Sequence, residues 1–440
     1  MRMRAFTTPA EREKMLQRTV NDRFDDGDVL MLTQDGVDVA TATSLQLKIN
    51  IRGTILPCQG VAWVGTVRTH RRRRVDGHGL ASTVLRALRQ KAIERGEAVS
   101  MLAPFRVSFY EHFGFSVVER QATWTIPLNI LPEGETGGFA EFSPLPLRAG
   151  SPGGVGGGVS GASPISARNV GDENLGTEGR SMATGPSGPL PPPPPAGGGG
   201  EEALASRQRQ FLATHGDVET NERSLNYWLN ELKDLGFRFI DTDGNSIRSQ
   251  FTLGTEVSNG QTMAVVHRPW WDSPAALRDL LAMLGTLKDQ YSAARITLPA
   301  DLPLNWLLKE KQVPHRRVDH PAATVQLNTR MQAAILDYDR FFNALRPPEK
   351  AYGAVTVAVH ARDKTSIWLL DFANGTVART SSTEAPDAEI DDLAFTAMLF
   401  GELSASDALA VGQLRLLTPS ALPLLDALSA GPKPYCHEYF

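Results

Sequence analysis

The sequence is poor in cysteine: 440 residues contain only Cys58 and Cys436. Two thiols exclude a disulfide framework and suit a reducing compartment. Neither has a Cys or His partner at zinc-ligand spacing, and the adjacent pair Cys436-His437 is a poor geometry for one ion, so no metal is expected. Long apolar runs are missing as well. None approaches the ~18 residues of a membrane-crossing helix, and Met1-Arg2-Met3-Arg4 is not followed by the apolar stretch of a signal peptide. A cytoplasmic location is the expectation. Charge of one sign is also lacking: 45 Lys and Arg stand against 49 Asp and Glu, a net charge of -4. No global basic field points to nucleic acid. The run Arg71–Arg74 is local, and its plain reading is a solvated or nucleic-acid-seeking basic edge. The chain does have length, enough for two to three domains.

One stretch organises the rest. Val61-Ala62-Trp63-Val64-Gly65-Thr66-Val67 is apolar and β-branched and predicts a buried strand. Arg68 to Gly79 follows, basic and ending in Gly77-x-Gly79. Leu80, Val84, Leu85, Leu88 and Ala92 then recur at helical spacing, with Gly96 placed to end the helix. Strand, glycine-bearing basic loop and helix start together make an anion site. Glycines allow close backbone approach, free amides point outward, and the helix dipole favours negative charge. Arginines add bidentate phosphate donors.

Arg74-x-x-Gly77-x-Gly79 resembles the acyl-CoA pyrophosphate loop of the GNAT N-acetyltransferases. Thr69-His70-Arg71-Arg72-Arg73 and Phe109-Tyr110-Glu111-His112-Phe113-Gly114-Phe115 resemble, more narrowly, the Eis (enhanced intracellular survival) family. The family has Gly directly after the arginine triplet; here Arg74 follows it, which implies a short insertion over Arg74 to Asp76. The resemblance implies acetyl-CoA as cosubstrate. It implies that Val64, Gly65 and Thr66 offer backbone groups to the pantetheine and thioester. Arg72, Arg73, Arg74, Val75, Asp76, Gly77 and Gly79 would hold the phosphates, and Phe105 and Arg106 would line the coenzyme channel. Tyr110 would protonate the leaving thiolate, against the plain alternative of a packing aromatic between Phe109 and Phe113. Glu111 and His112 are expected to face solvent or a partner subunit. The C-terminal carboxylate of Phe440 would serve as base, against the alternative of a tail that merely packs. A homo-oligomer, a hexamer by resemblance, is implied too.

The fold class expected is α/β (α+β), with two GNAT-like lobes followed by a sterol-carrier-protein-type domain. Residues 1–148 form the first lobe. In it, Met3 to Phe6 predicts a strand, Thr8-Pro9-Ala10-Glu11 starts a helix reaching about Phe24, and Gln34-Asp35-Gly36 turns a hairpin. Residues 149–200 are rich in Gly, Ser and Pro and read as a disordered linker. Residues 201–321 repeat strands, helix and strand without a Gly-x-Gly loop, including a helix over Leu225 to Leu232 and another over Ala275 to Tyr291. Residues 322–440 form the third unit, with Thr324 to Leu327 a strand, Met331 to Tyr338 a helix, strands between Tyr352 and Thr380, and Ser406 to Leu416 a helix. The tail from Pro432 reads as docked. The function expected is transfer of acetyl from acetyl-CoA to a primary amine on an amino sugar (an aminoglycoside), a polyamine or lysine. A non-catalytic lipid- or partner-binding protein and a transferase of a longer acyl chain are the alternatives.

Overall fold

The computed structural model describes residues 27–142, 199–219, 237–243, 246–258, 260–311 and 322–438. The strand Met3 to Phe6, the helix to Phe24, nearly all of the linker, the helix Leu225 to Leu232 and the last two residues lie outside them.

The first lobe runs β1 (Gly27–Gln34), β2 (Val37–Ile51), β3 (Thr54–Thr66), the short β4 (Arg74–Val75) and β5 (His78–Gly79), helix α1 (Leu80–Glu94), β6 (Val99–Leu102), helix α2 (Val107–Glu111) and β7 (Ser116–Pro127). The predicted face of α1 is the buried one: Leu80, Val84, Leu85, Leu88 and Ala92. Gly96, at φ +73°, ends the helix as expected. The second lobe runs β8 (Phe139–Phe142), helix α3 (Gly199–Ala213), β9 (Phe237–Asp243), β10 (Ser246–Ser258), β11 (Gln261–Trp271), helix α4 (Pro274–Thr286) and β12 (Ala293–Pro299). Gly199 and Gly200 are thus helical, which shortens the linker, and α4 stops before the Tyr291 expected from its apolar spacing. The third unit follows β13 (Thr324–Ile335) with helix α5 (Tyr338–Ala344), β14 (Gly353–Ala361), β15 (Lys364–Ala373), β16 (Thr376–Ser381), β17 (Ala388–Asp391), helix α6 (Asp392–Phe400), helix α7 (Ala405–Ala410), β18 (Leu414–Leu416) and helix α8 (Leu422–Ser429).

The two lobes share one 11-stranded sheet, ordered β1-β2-β3-β6-β13-β7-β12-β11-β10-β9-β8. Each lobe contains a parallel pair bridged by a helix: β3 and β6 around α1, β11 and β12 around α4. Each lobe's last strand crosses to the other. β7 leaves the first lobe and pairs with β12, while β13, after the second lobe, pairs with β6; β7 and β13 pair with each other in the middle. The boundary expected at 322 therefore runs through a sheet. The first lobe does not close at Trp124 to Leu128; β13 completes it. The helix expected over Met331 to Tyr338 is corrected to strand as far as Ile335. Met-Gln-Ala-Ala suits a helix, but this segment fills the gap between β6 and β7, and tertiary pairing overrides propensity. The helix expected over Ser406 to Leu416 breaks at Gly412, φ +74°, and Leu414–Leu416 pairs with β17 instead.

A second, five-stranded sheet, β16-β15-β14-β17-β18, belongs to the C-terminal unit. Its core continues into the first lobe: Phe341, Phe372, Phe395 and Phe400 pack in one cluster with Ile49, Cys58, Val99 and Met101. Tyr110 belongs to a separate cluster, with Val61, Val64, Leu80, Val84 and Phe115, under α1.

Candidate active site

The site is built where β3 leaves β6. Their parallel ladder runs from Cys58↔Val99 to Gly60↔Met101 and stops. β6 ends at Leu102, yet β3 continues to Thr66, held only by β2. From Val61 onward its other edge has no strand beside it, so Val64, Gly65 and Thr66 present backbone groups to an open wedge. Trp63, at φ +53°, sits where the β2–β3 register shifts. A bulky residue in the left-handed region marks stored strain and bends the strand away from β6. Sequence reasoning took Trp63 as ordinary strand. Nothing in its apolar surroundings signals a bulge.

The loop after β3 is more structured than expected. Arg68–His70 is one turn of 3-10 helix, and Arg72 has φ +70°. Arg74-Val75 then pairs antiparallel with His78-Gly79, so the insertion is a two-residue hairpin turned at Asp76-Gly77, with φ +50° and +78°. The positive φ of Gly77 is what the tight turn requires, and the space beside it is open. Gly79 is the residue at the helix start. It caps α1 in an extended conformation without any side-chain hydrogen bond, and Arg71 to Arg74 stand exposed beside it. The first-turn amides of α1 are thus uncapped beside four arginines. The second lobe has the opposite arrangement. There Ser273 caps α4 by accepting from the Ala276 amide, directly after Asp272. A capped helix start next to a carboxylate is a poor site for phosphate.

Tyr110 lies on α2 and is 3 % exposed. Its ring meets those of Phe105, Phe109 and Phe115 edge-on, at 5.5, 5.0 and 6.1 Å. Burial raises its phenol well above the ordinary value, which keeps the proton on it at neutral pH. Phe105 is 70 % exposed, and Arg106, also exposed, precedes α2 as its N-cap residue. Phe105 therefore covers the Tyr110 ring from the open side. His112 is exposed and bonds back to the Ser108 carbonyl at 2.7 Å, while Glu111 is half-buried. The structure thus brings Val64, Gly65, Thr66, Gly79, Tyr110 and Phe105 to one region and places the hairpin Arg74 to Gly79 at its rim.

The tail docks as expected, as far as it is described. Tyr435 donates its amide to the His215 carbonyl and its hydroxyl to the Thr297 carbonyl. The Cys436 amide bonds Glu119 Oε1 at 3.0 Å, and the His437 amide bonds Asp217 Oδ1 at 2.9 Å. Arg207 grips Asp217 with two bonds, 2.6 and 3.0 Å. Phe440, the expected base, lies outside the described residues. Glu119, Asp217 and Arg207 are buried polar groups that no local pattern singled out. A large cavity of about 1050 Å³ lies between α1, the turn after α2 and the C-terminal unit, lined in part by Val61, Arg89, Phe113, Tyr338, Trp368 and Arg379.

Comparison with known proteins agrees with this architecture. Residues 1–118 match the model of the acetyltransferase (GNAT) domain, and residues 339–437 that of the sterol carrier protein domain. Together the two matches define a mixed α/β protein with a GNAT domain at its N-terminal end and a sterol-carrier-like domain at its C-terminal end. Among solved structures, Eis1 from Mycobacterium abscessus is similar over 99% of both chains, at 18% identity and a TM-score of 0.68. A protein of unknown function from Enterococcus faecalis, described as a probable N-acyltransferase, has a TM-score of 0.70 at 15% identity, covering 100% of this chain and 95% of its own. A GCN5-related N-acetyltransferase from Anabaena variabilis has a TM-score of 0.67 at 15% identity, covering 94% and 89%. At these identities the likeness is one of fold. No curated protein sequence matches the chain. No helix among the described residues is long and apolar enough to cross a membrane.

Proposed function

We propose that this protein is an N-acetyltransferase that moves acetyl from acetyl-CoA to a primary amine of an amino sugar such as an aminoglycoside, a polyamine or a lysine. The observation that carries this is the wedge between β3 and β6, which opens between an uncapped, arginine-flanked helix start and a buried, protonated tyrosine. The wedge admits a slender chain with hydrogen-bonding amides. The helix start, Arg72 and Arg73 take its phosphates.

In the reaction the amine nitrogen attacks the thioester carbonyl carbon. The new C–N bond forms as the C–S bond breaks, and the sulfur takes the Tyr110 proton. The proton lost by the amine passes to the carboxylate of Phe440, directly or through a water, and the tyrosine is reprotonated from solvent. A free α-carboxylate has a pKa near ~3.5 and an alkylammonium near ~10.4. In a water-poor channel the first rises and the second falls, so the two approach each other. The test is release of coenzyme thiol by the purified protein with a panel of amines and acyl donors of increasing chain length. Amine-dependent release, fastest with acetyl-CoA, is expected. Coenzyme binding without release against every amine would overturn the assignment, and faster release with long donors would replace acetyl by a longer acyl group.

A further inference from the structure

Four buried polar side chains lie under the tail, and the reaction as written uses none of them. Glu119, on β7, is 1 % exposed. Its Oε1 accepts from the Cys436 amide at 3.0 Å and from Gln121 Nε2 at 2.6 Å. Its Oε2 is enclosed and has no hydrogen-bond partner among the described residues. Asp217, fully buried after α3, accepts from the His437 amide and from Arg207. Arg207 Nε lies 3.7 Å from Glu438. Two consecutive backbone amides of the tail thus end on two buried carboxyls that come from different parts of the chain. A tail held only by packing has no need of them, because burying a carboxyl is costly.

We infer that Glu119 is a positioning residue: it seats the C-terminal tail on β7 and so fixes where the terminal carboxylate leaves the sheet. The inference rests on the reading of that carboxylate as base. Phe440 stands four residues after Cys436, a reach of at most about 14 Å, so an error in the seat is passed on to the carboxylate, and catalysis tolerates little misplacement.

The seat is sensitive to pH. Burial, with Asp217 adding repulsion, pushes the Glu119 carboxyl up to about 8, against the Cys436 and Gln121 hydrogen bonds and the Arg330 charge. The groups facing it are therefore Arg330 on β13, Asp217 after α3, Gln121 on β7, and Tyr435 and Cys436 on the tail, the last two held neutral by burial. A carboxyl raised in the docked state binds its proton more tightly there than in the open state. Docking is strongest below the open-state value near ~4.5 and weakens as pH rises through about 8.

Cys436, a buried residue of the tail itself, is a built-in reporter, since a thiol reagent reaches it only when the tail lifts. The experiment measures alkylation of Cys436 by peptide mass spectrometry in the full-length protein, together with kcat and the KM for acetyl-CoA. Glu119→Leu is expected to label at least tenfold faster and to lose at least tenfold in kcat, with that KM unchanged. Glu119→Gln keeps the acceptor but cannot ionise. It should label and turn over as the natural protein does at pH 6, and more slowly label than it at pH 9. If Glu119→Leu does not fold, the Glu119→Gln ratio decides alone: a ratio flat with pH overturns the inference. Rapid labelling of Glu119→Leu at undiminished kcat also overturns the positioning role. One Gly added after Phe440 tests the base reading separately. Full activity there removes the carboxylate from the chemistry, while the labelling still reports whether Glu119 seats the tail.

Discussion

Tyr110 carries the sharpest consequence at the scale of single residues. Its ring sits among Phe105, Phe109 and Phe115, and on the proposed reading its hydroxyl gives its proton to the coenzyme sulfur. Tyr110→Phe keeps every ring contact and removes only the proton. Turnover should fall roughly 10²–10⁴-fold, the range for loss of a general acid, with coenzyme affinity and thermal stability near those of the natural protein. Turnover within a factor of three would return Tyr110 to packing. The pH profile follows from the same burial. The phenol stays protonated well above neutrality, so its ionisation should not limit activity on the alkaline side below about pH 10.

Among elements, the hairpin Arg74 to Gly79 separates two functions that the sequence runs together. On the proposed reading the phosphate donors are the α1 start and the arginines before the hairpin, and the hairpin itself is an insertion turned at Asp76-Gly77. Removing residues 74–78 would join Arg73 to Gly79 and should leave the KM for acetyl-CoA within about threefold. The pair Arg72→Ala and Arg73→Ala should raise it about 10–100-fold, the worth of one or two charge-assisted hydrogen bonds, with the KM for the amine little changed. The reverse pattern would place the phosphates on the hairpin. What was legible in the sequence has the same local character. β3, the basic loop and α1 were readable because strand alternation, glycine spacing and helical period are written in consecutive residues. β13 was misread because what makes it a strand is β6 and β7, more than two hundred positions earlier. Glu119 and its tail partner Cys436 are 317 positions apart. No window along the chain holds both, and a glutamate in a strand carries no mark that it will be buried. Trp63 failed for another reason: its backbone conformation is imposed by the register shift against β2, not by its own preference.

At the scale of the whole molecule, the carboxyl end of α6 holds the units together. Its last carbonyls gather donors from three distant segments. Arg52, at the β2–β3 turn of the first lobe, reaches the Leu399 and Leu428 carbonyls, the latter at 2.6 Å, and so also serves the end of α8. Lys433 of the tail donates to the Gly401 and Glu402 carbonyls at 2.8 Å each. His215, between α3 and the tail, shares a 2.7 Å hydrogen bond with the Phe400 carbonyl, and its other ring nitrogen accepts the Arg52 amide. Cations and donors at helix carboxyl ends offset both the dipole and the unpaired carbonyls. The ring of His215 must be neutral to accept at one nitrogen and donate from the other, and burial lowers its pKa to about 4. An unfolded histidine near ~6.5 takes up a proton where the folded one does not. The junction therefore has its full stability above about pH 6.5 and loses it as pH falls toward 4, by about 2 kcal/mol at pH 5. Glu119 pushes the opposite way between about pH 8 and its open-state value, so the two effects must be read separately. Thermal unfolding of His215→Gln against the natural protein, from pH 7.5 to 5, isolates the first. The natural protein's stability relative to the variant should fall by about that amount on acidification. A difference constant with pH would mean that the ring is not the neutral link between α6 and the first lobe. Arg52→Ala should cost about 1.5–3 kcal/mol at every pH in that range.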